Sequence, residues 1–124
     1  MPRLPASLLP LSQTNYYILV CLLAAPKHGY AILQDIEQRS GHTVLVALGN
    51  LYVALRHLLE QGLIEATAVE LGHPESKPRR KIYRISAFGE RTLAAEIERL
   101  QRMLMAAELV KHETVRKWIR PDSD

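Results

Sequence analysis

The sequence predicts a mainly α-helical fold with a small β-hairpin, closed by a long C-terminal helix. Three observations lead to it. Apolar residues recur at helical spacing over successive stretches, and two short alternating segments flank a turn-rich tip. The final apolar stripe, Leu93, Ile97, Leu100, Leu104 and Ala107, repeats at intervals of four and three, the spacing of a helix that packs along another helix. With 124 residues, 48% of them hydrophobic, the chain has the size of one domain and can bury a core of its own.

The elements follow in order. "MPRLPASLLPLSQ" carries Arg3 as its one charge and is broken by Pro5 and Pro10, so it lacks the uninterrupted apolar core of a signal peptide. Residues 1–11 are expected to form a flexible arm. "LSQTNYYILVCLLAAP" reads as a first helix, with Ser12 as its N-cap, Leu11 and Tyr16 at the positions of a hydrophobic staple, and Pro26 as the stop. In "YAILQDIEQRSG" Ile32, Leu33 and Ile36 share one face, and Gly41 supplies the left-handed residue that ends a short second helix. "HTVLVAL" is brief and β-branched and is expected to make at most a one-bridge strand.

On a third helix from about Gly49, Leu51, Leu55, Leu58 and Leu59 fall on one side. Gly49, Asn50, Val53, His57 and Glu60 point the opposite way, with Tyr52 and Arg56 on the flank between. Gly62 closes this helix. "LIEATAVEL" alternates as a strand from Leu63 to Leu71, "GHPESKPRR" is a turn by composition, and "KIYRIS" completes the hairpin. The helical pattern resumes after Ser86. The expected division is therefore an arm over 1–11, a folded unit over 12–86, a long helix over 87–118 and a tail over 119–124.

Several function classes find no support. The longest apolar run, Ile18 to Ala25, is about half the length a bilayer requires, so no membrane span is expected and the protein reads as cytoplasmic. The single cysteine, Cys21, cannot form an intramolecular disulfide and reads as a small buried hydrophobe. The five histidines and thirteen carboxylates form no nucleophile, base or metal constellation at motif spacing, and no glycine-rich loop precedes a helix. Neither an enzyme nor a bound cofactor or metal is expected.

The charge is unevenly placed. Between Gly72 and Ile85, Lys77, Arg79, Arg80, Lys81 and Arg84 face Glu75 alone, which leaves eleven basic against twelve acidic residues for the rest of the chain. Such a cluster is either a solvated loop or the contact for an anionic partner.

Three short helices followed by a two-stranded hairpin is the winged helix-turn-helix layout, in which the third helix can enter a DNA major groove while the hairpin lies along the backbone. In that layout Asn50 can bond adenine or a phosphate, Val53 can touch a thymine methyl, and Arg56 and His57 carry donors for guanine or phosphate. Tyr52 can reach a phosphate through its hydroxyl, or it can lie half-buried against the second helix. Lys77, Arg79, Arg80 and Lys81 would neutralise phosphates from the hairpin. The stripe from Leu93 to Ala107 offers a dimer interface. A winged module that binds protein instead of DNA would keep the same core pattern without needing the basic tip.

These residues also carry a family likeness. "HGYAILQDIEQRSG", "GNLYVALRHLLEQGLIE" and "RRKIYRISAFGERTLAAE" resemble, in order and spacing, the PadR-type transcriptional regulators, over roughly Leu11 to Ala107. The resemblance implies a homodimer joined by its C-terminal helix, a repressor on a two-fold operator, and often release by a small hydrophobic or aromatic effector. Tyr17 and Trp118 are the aromatic residues considered for effector contact. The family usually reads Ser-Pro-Gly-Thr before Leu-Tyr, whereas this chain has Ala47, Leu48, Gly49 and Asn50. Ala47 has no side-chain oxygen with which to cap the helix.

Overall fold

The computed structural model describes residues 4–69, 80–110 and 113–119. A 3-10 turn at Pro5–Leu8 precedes helix α1 (Gln13–Ala24), strand β1 (Lys27–His28) and helices α2 (Gly29–Arg39) and α3 (Leu48–Glu60). Strands β2 (Ile64–Val69) and β3 (Arg80–Ile85), the long helix α4 (Ala87–Val110) and the short helix α5 (Glu113–Arg116) complete the order.

The helix ends obey local chemistry. Ser12 caps α1 by accepting the Asn15 amide on its hydroxyl at 3.0 Å, as its position predicts. Helix α2 ends when Gly41, at a φ of +64°, turns the chain so that the His42 amide reaches the Glu37 carbonyl at 2.8 Å. Gly62 closes α3 in the same way, and the Leu63 amide bonds the Leu58 carbonyl at 3.0 Å. Both are left-handed caps that satisfy carbonyls the helix itself leaves open.

Helix α1 lies at the centre, against α2, α3, α4 and β3. It buries Ile18, Leu19, Cys21 and Leu22; α2 adds Ile32 and Ile36, α3 adds Leu51, Leu55 and Leu58, and Leu63, Ile64, Tyr83 and Leu93 close the core. The sheet is antiparallel in the order β1-β3-β2. Its hairpin register sets Glu65 opposite Arg84, and their side chains pair at 2.9 Å.

Two expectations change. The bridging strand is Lys27–His28, paired with Tyr83 and Ile82, and not the β-branched segment before α3. Residues 43–47 run without regular structure, because β3 is already flanked by β1 and β2. The N-terminal stretch is not a free arm from residue 4 onward. Its 3-10 turn rests on α4, Leu8 and Leu11 pack against the core, and the Leu11 amide donates to Glu96 Oε2 at 3.1 Å. The described span of α4 runs to Val110, and residues 113–119 hold the single turn of α5 and a following turn.

Candidate nucleic-acid interface

The face of α3 that does not enter the core is set by its neighbours. Leu51, Leu55 and Leu58 are locked inward, so Gly49, Asn50, Val53, Arg56, His57 and Glu60 are all exposed. Asn50, Arg56 and His57 together present amide, guanidinium and imidazole groups to solvent along one surface. Val53 stands among them, 43% exposed. Helix α3 starts without a side-chain cap, as the alanine at position 47 requires.

Tyr52 has a double placement. It is 47% exposed, yet its ring lies over the start of α2: a β-carbon on Gly29 would come 2.7 Å from its hydroxyl oxygen. Burial, and then the nearby Tyr52, push the Tyr83 hydroxyl above its ordinary pKa near 10. Tyr52 thus ties α3 to α2 while leaving part of its ring accessible.

Ser86, which follows β3, ties the end of the hairpin to the end of α3. Its hydroxyl donates to the Gly62 carbonyl at 2.6 Å and accepts the Gly89 amide at 3.0 Å, which caps α4 and joins it to the end of α3. Gly89 is required there, since a β-carbon would collide with the Leu63 carbonyl oxygen. Of the four basic residues expected on the wing, Lys81 is exposed on β3, and the backbone of Arg80 pairs with Val69. Lys77 and Arg79 lie outside the described residues.

The stripe on α4 divides in two. Leu93 is 1% exposed and belongs to its own chain's core, so it is not an interface residue. Ile97 also packs against that core, and Leu100 is half-buried. Beyond them Leu104 is 64% exposed, as are, to similar or greater degrees, Met103, Met105, Leu109 and Val110; Ala107 is exposed too. The reason is reach: the N-terminal 3-10 turn and α1 cover only the first half of α4, and the second half extends past them.

Two polar networks were not legible in the sequence. Glu96 is buried on α4, where Arg99 donates to both its oxygens at 2.6 and 3.0 Å and Leu11 adds a backbone donor. The Arg99 hydrogen bonds, helped by the Leu11 amide, hold its carboxyl below the ordinary value despite burial. Asp35 on α2 bonds Arg39 at 2.8 Å and pairs with Lys27 at 3.6 Å. The Lys27 ammonium in turn donates to the Cys21 and Ala25 carbonyls at the end of α1. Burial, with Asp35 beside it, pushes the Cys21 thiol up to about 12, so this cysteine is an inert core residue.

Tyr17 packs against the core, in an edge-to-face contact with Tyr16 at 5.8 Å, whereas Trp118 is 77% exposed with the Lys117 ammonium over its ring. A polar groove of about 420 Å³ along α2, lined by Lys27, Gln34, Asp35 and His42 among others, includes neither of them. Among the described residues no helix is long and apolar enough to cross a membrane.

The sequence profile of the transcriptional regulator PadR-like family matches residues 18–95, which spans the structure from α1 into α4. The chain belongs to that family. No curated protein matches the sequence. Among solved structures, the PadR-like fold is shared with a PadR-like transcription factor from Bacteroides fragilis at 23% identity and a TM-score of 0.67, covering 77% of this chain and 87% of that one. A transcriptional regulator from Clostridium thermocellum is similar at 25% identity and 0.61, covering 86% and 92%. Bacillus subtilis PadR in complex with operator DNA has 20% identity and a TM-score of 0.60, covering 93% of this chain and 54% of that one. The present chain therefore spans about half the length of the Bacillus subtilis protein.

Proposed function

We propose that this PadR-like chain is a DNA-binding repressor that acts in the cytoplasm as a homodimer on an inverted-repeat operator. The observation that carries the reading is the two-sided character of α3. Its inward leucines are fixed in the core while Asn50, Arg56 and His57 stand exposed along the outward face. A helix held in this way can present donors to base edges and phosphates without itself rearranging. The operator complex of Bacillus subtilis PadR, which has the same fold, supports DNA as the partner.

Dimerisation is supported by the uncovered half of α4. Leu104, Met103, Met105, Leu109 and Val110 place more contiguous apolar surface in water than a small monomer ordinarily tolerates, and a second copy of the same helix is the partner of matching chemistry. A planar hydrophobic effector would find an exposed aromatic residue for stacking in Trp118.

The test is selection of bound duplexes from a random pool with the purified protein. The proposal expects palindromic sequences to be recovered. Recovery of nothing above background favours a winged module that binds protein.

A further inference from the structure

Five glycines fall among the described residues, and four have a reason inside the fold. Gly41 and Gly62 adopt the left-handed φ of a helix cap, a β-carbon on Gly29 would press on the Tyr52 ring, and one on Gly89 would collide with the Leu63 carbonyl. Gly49 has neither reason. A β-carbon there would meet nothing within 4 Å, its φ is not positive, and it is exposed in the first turn of α3. Glycine in a helix is destabilising relative to alanine, so the fold alone would be better served by a side chain. Nothing described within the chain requires position 49 to be bare, so a partner is where a reason can lie.

Its neighbour indicates what that is. Val53 stands one turn further on, four residues along the same face, and is exposed and apolar. Arg56 and His57 follow one turn later on that ridge. Valine is short, so its methyls reach a partner only if the helix backbone comes close. A β-carbon at position 49 would hold the first turn away.

We propose that Gly49 and Val53 form an apolar notch that receives the 5-methyl group of a thymine, with Gly49 setting the depth of α3 in the major groove. The inference rests on the DNA-binding reading above and names the base that this part of α3 selects. The chemistry discriminates by omission. Thymine carries a methyl group beside its O4 acceptor at the major-groove edge, and the other three bases have no methyl there to fill the notch. The N-terminal residues of a recognition helix are the ones that reach base edges, which is where Gly49 and Val53 lie.

The experiment uses the full chain and its selected operator, with each operator thymine replaced in turn by deoxyuridine, which removes only the methyl. Wild type is expected to lose roughly fourfold in affinity at one symmetric pair of thymines, the fold-change for one methyl group kept from burial. Val53→Ala is expected to bind thymine and uracil operators alike at that pair. Gly49→Ala is expected to melt a few degrees higher than wild type and yet bind the operator on the order of tenfold more weakly, a combination that loss of folding cannot produce. Wild type that selects DNA but is indifferent to every methyl, or a Gly49→Ala variant that binds as wild type does, overturns this inference alone. Wild type that selects no DNA overturns both the inference and the function on which it rests.

Discussion

Tyr52 of α3 lies over Gly29 of α2 so closely that a β-carbon at position 29 would stand 2.7 Å from the Tyr52 hydroxyl oxygen. This contact fixes the spacing between the two helices of the helix-turn-helix, and hence the outward aim of Asn50, Val53 and Arg56. Gly29→Ala is expected to force the tyrosine ring aside at a cost of ~1 kcal/mol in stability. In a Tyr52→Ala background the same substitution should cost nothing, because the obstructing ring is gone. Urea unfolding of the four members of this cycle measures the coupling directly, and additive effects would mean that the two positions do not meet.

Glu96 offers a prediction in pH. Its carboxyl is held below the ordinary value near 4.5 by Arg99 and the Leu11 amide, so the folded state favours the charged form. A group with a depressed pKa stabilises the fold above its unfolded value and loses that contribution as the pH falls through the folded value. Glu96→Gln should therefore be less stable than wild type at pH 7, by about 1–3 kcal/mol. The gap should shrink as the pH drops below about 4.5, toward the folded value. Asp35, also held low, titrates in the same acid range in both proteins and cancels in the comparison. A gap that stays constant between pH 7 and pH 3 would show that the Glu96 charge contributes nothing.

Much of this architecture is legible in the sequence because its causes are local. Ser12 sits three residues before the amide it caps, Gly41 and Gly62 follow directly on the helices they end, and the α3 leucines repeat at the helical period. What is not legible depends on distant partners. Lys27 and His28 become a strand only because β3 runs beside them, and Leu11 meets Glu96 across 85 positions of chain. A charged residue on α4 reads as surface until Arg99 and the arm enclose it. Periodicity also shows which residues share a face without showing what covers them. Leu93 and Leu104 belong to one stripe, yet the first is core and the second is exposed.

The wing is tested by salt. A dimer that neutralises about six phosphates should show log affinity falling with log salt at a slope near −5. Arg79→Ala with Arg80→Ala removes four of those cations from the dimer and should flatten the slope to about −2 while weakening all sequences alike. An unchanged slope would leave the basic cluster as a solvated loop.

Operator binding as proposed requires two chains to meet along the outer half of α4. Leu104 and Ala107 are exposed in the single chain, so Leu104→Glu with Ala107→Glu should leave the fold intact while setting like charges across a two-fold contact. Pairing would place two recognition helices in successive major grooves about 34–36 Å apart. Sedimentation of wild type and of this double variant, each alone and with a selected duplex, measures the consequence. The expected result is a wild-type dimer that binds as two chains per duplex and a variant that sediments as a folded monomer without operator affinity. A wild type that is monomeric at micromolar concentration, or a variant that remains dimeric, would contradict it.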